Sequence, residues 1–241
     1  LDITGLPPTI AEQDGFKGDW AGLARDLLGR ESYGERWGRH WLDVVRYGDT
    51  NGYERDDIKP QGWKFRDYVI RSINADKPFD RFVMEQLAGD ELPDANAETL
   101  LATGYSRLGP WDDEPADPAE DRFDQLDDMV STTGQVFLGL TLGCARCHNH
   151  KFEPLTQLDY YRVAAVMNPL QRFQNGRSDL DAPIGTPAEL AALAARDRQI
   201  AELQEQIKAD GGDSAEAKAR NDARRERIAM LQRETPDLPR G

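Results

Sequence analysis

The amino-acid sequence predicts an all-α fold, in which an irregular helical domain is followed by an antiparallel coiled-coil hairpin. Apolar residues recur at helical spacing through most of the 241 residues. No segment alternates apolar and polar residues between turn dipeptides, as the strands of a sheet would. Near residue 187 the composition shifts to two charged helices with narrow apolar stripes. We therefore expect a helical domain over 1–170, a linker over 171–186 and the hairpin over 187–235.

The first helices are predicted from their caps and stops. Thr9 and Glu12 have the spacing of a capping box, so a helix begins after Thr9. The next helix, in DWAGLARDLLGR, has one apolar face and ends at Gly29. In YGERWGRHWLDVVRYGD the spacing predicts a buried helix face made of Trp37, His40, Trp41, Val44 and Val45.

The middle of the chain reads as a series of shorter helices and one long one. Two helices are separated near Lys77 and Pro78, because proline disfavours helix in the residue before it. AETLLATGYSRLG is a shorter helix. From Phe123 a long helix leads directly to Cys144. Thr156, with Asp159 three residues later, caps one more helix.

The hairpin is predicted from two stripes of apolar residues. The first helix has a stripe formed by Leu190, Leu193, Ile200, Leu203 and Ile207. The second restarts after a Gly-Gly turn, with Asp213 as its cap. Polar outer faces on both helices indicate a coiled-coil hairpin that acts as a spacer or docking arm rather than as a catalytic element.

The overall charge excludes some partners. The chain carries 44 acidic and 30 basic residues, for a net charge of −14. It would repel nucleic-acid phosphates and anionic lipid surfaces.

No apolar run is long enough to span a membrane. No signal peptide precedes Leu1, but the opening LDITGLPPTIAE reads as the middle of a protein, so we interpret the chain as an excised segment whose compartment is not indicated.

The segment 112–128 contains nine acidic residues and one arginine. Our interpretation is a solvated loop that runs into a helix, whose early acidic residues favour the helix dipole. The alternative is a Ca²⁺ site, since clustered carboxylates suit hard cations, although EF-hand spacing is missing.

The stretch GCARCHNHKFEP holds both cysteines and two of the three histidines of the chain. Cys144, Cys147 and His148 form a C-x-x-C-H sequence, the pattern of c-type haem attachment. Two cysteines three residues apart on one turn can each bond a vinyl group of one porphyrin, and the adjacent histidine is the proximal iron ligand. The sequence therefore predicts one covalent haem c at these three residues.

Three other interpretations of this motif stay open. A zinc site would use Cys144, Cys147, His148 and His150, which are crowded for a relaxed tetrahedron. A thioredoxin-like redox pair would need a βαβ context that the sequence does not predict. A disulfide between the two cysteines would close a very short, strained loop.

Longer segments carry a family resemblance. These are YGERWGRHWLDVVRYGDTNGYERD, ADKPFDRFVMEQLAGDELP, DRFDQLDDMVSTTGQVFLGLTLGCARCHNHKFEPLTQLDYYR and the helical arm that ends in LPRG. They resemble a domain of unknown function from large secreted planctomycete-type proteins with c-type cytochrome motifs. In that family the domain often lies between a cytochrome-c-like module and a second conserved domain. The resemblance implies a periplasmic or secreted location, covalent haem and a redox role, but no established substrate.

The other axial ligand of the iron is less determined. His40 is the candidate distal ligand, and Met129 or Met84 is the alternative. If none of them binds, the iron is five-coordinate and open to small molecules. His150 is too close to His148 in sequence to reach the opposite face of the same haem, which leaves it a bond to a propionate or a place in a substrate site.

These options separate three functions. Two protein ligands predict an electron-transfer domain, with other redox modules of the same polypeptide or a separate electron-transfer protein as its partner. An open distal face predicts a haem-dependent oxidative enzyme, with pocket residues in the polar loop: Tyr47, Tyr53, Arg55 and Asp56. The third function is a structural or assembly module that uses the hairpin. Electron transfer is our prediction, and whether the protein is an enzyme stays open.

Overall fold

The computed structural model describes residues 1–53, 56–112, 114–170, 182–210, 215–235 and 237–238. Within these residues the regular structure is helical and no strand is present, so the all-α prediction is confirmed. An isolated antiparallel bridge joins Thr50 and Ile58. The chain divides into two compact units, 1–180 and 181–241. Most of the predicted linker lies outside the described residues.

The first unit contains eight α-helices and two 3₁₀ helices among its described residues. The α-helices are α1 (Ile10–Gly15), α2 (Trp20–Leu28), α3 (Glu31–Val44), α4 (Gly62–Asn74), α5 (Phe79–Ala88), α6 (Ala97–Ala102), α7 (Pro118–Leu138) and α8 (Gln157–Met167). The 3₁₀ helices are Thr103–Arg107 and Leu142–Arg146. No helix of the described residues is both long and apolar enough to cross a membrane.

The caps explain most of the helix boundaries. Capping boxes start α1 and α8 as predicted, and α5 begins directly after Pro78. However, α7 begins at Pro118, five residues before the predicted start. Asp117 accepts hydrogen bonds from the N–H groups of Ala119 and Glu120, and proline is favoured in the first turn because its missing N–H costs nothing there.

Two helices end on a non-glycine residue in the left-handed region. Arg46 follows α3 with φ 54°, and Asp76 follows α4 with φ 49°. At α4 the N–H of Lys77 bonds the carbonyl of Ser72 and that of Asp76 bonds Ile73, both at 3.0 Å, which is the Schellman pattern usually made by glycine. The same pattern ends α3.

The predicted buried face of α3 is wrong for Trp37, His40 and Val44, which are exposed; Trp41 is partly buried and Val45 is buried. The helix instead packs on α4 through Gly34 and Gly38: the Gly34 N–H donates to Asn74 Oδ1 at 2.8 Å, and a Cβ on Gly38 would meet Ile70 at 3.2 Å. This close approach turns the neighbouring stripe of α3, which carries His40, away from the interface with α4.

The buried residues of the first unit form two apolar clusters. The first, between α3, α4, α5 and the turn after α6, contains Val45, Phe65, Tyr68, Val69, Phe82, Ala102, Tyr105 and Leu108. The second, between α7, the 3₁₀ helix Leu142–Arg146 and α8, contains Leu126, Met129, Val130, Leu142, Ala145, Tyr160 and Met167. The cysteine motif therefore adjoins the second cluster.

The second unit consists of α9 (Pro187–Ala209) and α10 (Ala215–Glu234). Arg196 Nη1 donates to the carbonyl of Thr235 at 2.7 Å, and Arg224 Nη1 lies 2.5 Å from Asp210, so the two helices run in opposite directions. Hydrogen bonds from Arg220, and then from Arg224, lower the pKa of Asp210 to about 2. The predicted Gly-Gly turn and the cap Asp213 lie outside the described residues.

Candidate functional site

The cysteine motif occupies a surface turn after α7. Gly139 ends that helix in the left-handed conformation, φ 66°, and the 3₁₀ helix Leu142–Arg146 follows. Cys144 lies inside this short helix, and Cys147 is the residue that ends it. Both cysteines are exposed and carry free thiols. The turn therefore presents two free thiols on the surface.

The residues on either side of Cys144 anchor the turn to the protein. Leu142 and Ala145 are buried in the second cluster. Gly143 lies so close to α7 that a Cβ there would be 2.3 Å from Ser131 Oγ. One side of the turn is thus packed in the core while the cysteines remain on the other.

Arg146 also anchors the turn, through the acidic start of α7. Its guanidinium lies 3.0 Å from Asp124 Oδ1 and 3.1 Å from Asp127 Oδ2. The Tyr160 hydroxyl donates to the other Asp127 oxygen at 2.6 Å. The hydrogen bond to Asp124 raises the pKa of Arg146, and burial, followed by the bond to Asp127, raises the pKa of Tyr160. The motif is therefore tied to both α7 and α8.

These ion pairs bear on the predicted calcium site. Asp124 and Asp127 bind Arg146, and Asp128 binds Arg46, whose Nε lies 2.8 Å from Oδ2. Three of the nine acidic residues of 112–128 are thus paired with arginines. No three His, Cys, Asp or Glu side chains are grouped to hold a metal ion among the residues that the structure describes, which do not include Asp113.

His148 has one ring nitrogen held and the other available. Its Nδ1 lies 2.7 Å from the carbonyl oxygen of Asn149. A carbonyl only accepts, so Nδ1 carries the proton and Nε2 keeps its lone pair. This tautomer is the one that binds a metal through Nε2, and the Nδ1–H bond fixes the orientation of the ring. Asn149 is in turn held by Gln157, whose N–H donates to its side chain at 2.9 Å.

His150 is a structural residue of the following loop. Its side chain is only 7% exposed. Its Nδ1 accepts the N–H groups of Phe152 at 3.2 Å and Glu153 at 2.9 Å, so the proton is on Nε2, which lies 3.0 Å from Thr141 Oγ1. Both nitrogens are thus engaged within the loop, and neither is free for the propionate or substrate contact that the sequence left open.

The donor set at the motif has the chemistry that covalent haem requires. Cys144 and Cys147 supply free thiols, and His148 supplies an imidazole with an available Nε2. Four residues later, Phe152 leaves 85% of its surface in solvent, which is unusual for so large an apolar ring. The chemistry of the residues present therefore fits a covalent haem.

His40 lies in a different environment, which we call the aromatic cavity. This cavity, of about 380 Å³, is lined by Tyr33, Trp37, His40, Trp41, Val44, Ser72, Ile73, Asp76, Lys77, Phe79 and Phe82. The His40 ring lies 5.5 Å from that of Trp37. The motif residues do not belong to this lining. Sequence reasoning missed the cavity because the spacing of its α3 residues is also that of a buried helix face.

The other predicted ligands and pocket residues are separated as well. Met129 is buried in the second cluster, whereas Met84 is about half exposed. In the polar loop, the Tyr47 hydroxyl donates to Asp49 at 2.6 Å, and burial, then this bond, raises the pKa of Tyr47. Asp56 accepts the N–H of Gly52 at 2.9 Å, Tyr53 is exposed, and Arg55 lies outside the described residues.

Comparison with known proteins gives a family but no activity. A family model described as PSCyt2, protein of unknown function (DUF1549), matches residues 1–172. The match ends before α9. No curated protein matches the chain, and no solved structure does.

Proposed function

Since the chain belongs to PSCyt2, a family of proteins of unknown function, we propose a function from its own residues: a c-type haem domain that transfers electrons within a larger exported protein. The export and the larger protein rest on the resemblance to secreted cytochrome proteins. The haem rests on the motif. The proposed partners are other redox modules of that polypeptide or a separate electron-transfer protein.

The observation that carries the proposal is the arrangement of donors on the surface turn. Cys144 and Cys147 are free and exposed for two thioether bonds, and the Asn149 carbonyl holds His148 in the tautomer that leaves Nε2 for iron. Haem c, when bound, supplies a one-electron iron couple. The hydrogen bond to Asn149 also makes Nε2 a better donor, because it increases the electron density of the ring.

Electron transfer is favoured over oxidative catalysis by the exposure of the motif. The two thiols and His148 all lie on the surface, where a redox partner can approach. The aromatic cavity, which is the candidate substrate site described above, is lined by none of these residues. His40 as the distal ligand is retained as a proposal to be tested.

For α9 and α10 we propose an antiparallel coiled coil that serves as a spacer or docking arm, which their opposite directions support.

The test begins with the full chain, produced in a host that exports it and attaches haem c. We expect haem that stays bound in denaturing electrophoresis and an absorption spectrum that changes on reduction. The double variant C144A/C147A should lose covalent haem. H148A should alter the axial-ligand spectrum. H150N, which replaces a histidine whose two ring nitrogens are already engaged, is its control, and H40A separately tests the proposed distal ligand.

Carbon monoxide then decides between the carrier and the enzyme. A reduced spectrum that carbon monoxide leaves unchanged indicates two protein ligands and supports electron transfer. A shift indicates an open or labile site, contradicts the six-coordinate carrier and favours an oxidative enzyme. No haem in the presence of active attachment machinery would refute the proposal as a whole and return zinc or a disulfide as the explanation of the motif.

A further inference from the structure

The aromatic cavity is lined by none of the motif residues, and the haem proposal uses only its His40, as the candidate distal ligand. Its walls combine the rings of Tyr33, Trp37, Trp41, Phe79 and Phe82 with the polar side chains of His40, Ser72, Asp76 and Lys77. A volume of about 380 Å³ is within the range of small-molecule sites. A concave, mostly aromatic surface with a few polar groups is the usual composition of such a site.

The inner wall is rigid before any ligand binds. The Trp41 indole N–H donates to Gln86 Oε1 at 3.0 Å, and the buried Gln86 side chain donates to the carbonyl of Phe82 at 3.0 Å. The Trp41 ring lies 4.9 Å from Phe82 and meets Phe79 edge-on at 6.1 Å and 84°. A ligand would therefore order few side chains on binding, which lowers the entropic cost.

The charge of the cavity is negative once internal ion pairs are counted. Lys77 forms an ion pair with Glu85, whose side chain is 5% exposed. Arg81 forms ion pairs with both Glu85 and Asp94. These two cations and two carboxylates balance. Asp76 has no side-chain hydrogen bond or ion pair with any residue that the structure describes, so its carboxylate is the charge left over.

Asp76 also occupies a strained position. It is the left-handed residue of the Schellman motif that ends α4, where glycine is preferred. Aspartate is tolerated in this conformation when its side chain bonds locally, and no such bond is present among the described residues. Arg46, the equivalent residue of α3, is compensated by its ion pair with Asp128. The left-handed φ of the exposed Asp76 is thus not offset by a side-chain contact with the described residues, and strained residues of this kind cluster at ligand sites.

We propose that the aromatic cavity binds a small organic cation with a quaternary or methylated ammonium group, held by the ring faces and by Asp76. Rings that converge at steep angles enclose a rounded cation, and cation–π attraction adds to the carboxylate charge. A sugar would need a flat ring platform and several hydrogen-bonding side chains. The cavity has neither, because its rings meet at angles and its unpaired polar groups are few.

The first experiment compares two ligands of the same shape on the full chain. Choline carries the charged group, and 3,3-dimethylbutan-1-ol replaces the nitrogen by carbon. We expect choline to shift the tryptophan indole N–H signals of the cavity in a saturable way by nuclear magnetic resonance, with sodium chloride at equal ionic strength as the baseline. The neutral alcohol should bind much more weakly.

Matched variants locate the site. Trp37 is 45% exposed in the cavity, and Trp63 is 47% exposed outside its lining. W37A should weaken choline binding by about twofold to thirtyfold, the range for one cation–π contact, and W63A should not. D76G should weaken binding by up to about fivefold, yet raise the melting temperature by about 2–4 °C, because glycine relieves the strained φ.

The outcomes separate this proposal from the haem proposal. Equal binding of choline and the neutral alcohol would overturn the cation proposal, since charge would play no part. An equal loss of choline binding in W63A and W37A would overturn it too, as would saturation by glucose instead of choline. A D76G protein that is more stable and binds choline normally would exclude Asp76 as the partner. C144A/C147A should bind choline as the natural sequence does, so a protein without haem still tests the cavity.

Discussion

At the scale of single residues, His150 determines the shape of the loop that follows the motif. It accepts two backbone N–H groups, from Phe152 and Glu153, with a side chain that is almost fully buried. We expect H150A to lower the free energy of unfolding by about 1–3 kcal/mol, because these donors lose their partner. H150N should lose less, since its Oδ1 can accept at nearly the same place as Nδ1. Urea unfolding of both variants measures the difference.

If H150N is as unstable as H150A, the ring rather than its acceptor nitrogen supports the loop. A second measurement separates this structural role from iron binding. Because neither nitrogen of His150 is free, H150N should attach haem like the unaltered chain, whereas H148A should change its axial ligation.

The residues of the motif could be predicted and its surroundings could not. Cys144, Cys147 and His148 are adjacent in sequence, so their spacing alone indicates their chemistry. His150 differs from His148 in its burial and in its hydrogen-bond partners, and both depend on how the loop folds. Asp76 looked like an ordinary acidic residue, because an unpaired carboxylate at a left-handed φ is visible only in three dimensions.

At the scale of elements, Glu85 connects α4 to α5. Burial raises its pKa, but hydrogen bonds from Lys77, Arg81 and Tyr68 outweigh burial and hold the pKa below the usual range. This carboxylate is charged in the folded protein, and its stabilisation is present above its unfolded pKa and lost as pH falls through the lower folded pKa. We expect E85Q to cost about 3 kcal/mol at neutral pH, since it breaks a buried ion-pair network.

The pH dependence is the sharper part of that prediction. The stability difference between the natural sequence and E85Q should be constant above about pH 5 and shrink below about pH 4. E98Q is the control, because the ion pair of Glu98 with Arg71 is half exposed on both sides and should contribute less than about 1 kcal/mol. Chemical unfolding at several pH values measures both, and a difference that persists at low pH would contradict the assignment to ionised Glu85.

The helices themselves were largely predictable because their signals are local. Capping boxes at Thr9 and Thr156 and the break before Pro78 are set by neighbouring residues. The predicted start of α7 at Phe123 is five residues too late, because Asp117 caps the helix and Pro118 is its first residue. The direction in which His40 faces depends on which side of α3 meets α4, and periodicity cannot distinguish two adjacent stripes.

At the scale of the whole molecule, the net charge of −14 determines which redox partners the proposed haem domain meets efficiently. Long-range attraction raises the association rate of positively charged partners, and salt screens it because the Debye length falls from about 30 Å at 0.01 M to about 3 Å at 1 M. We therefore expect the haem-loaded, reduced protein to be oxidised by the trication tris(phenanthroline)cobalt(III) more slowly as salt increases. Oxidation by the anion ferricyanide should become faster.

Stopped-flow absorbance over that range of salt measures both rates on the same preparation. The opposite trends are the essential result, because a general effect of salt on the fold or on the haem would move both rates in the same direction. Two rates that are both independent of salt would show that the electron leaves through a surface that the net charge does not influence. In that case a neutral or apolar partner surface, rather than a basic one, would be expected for this domain.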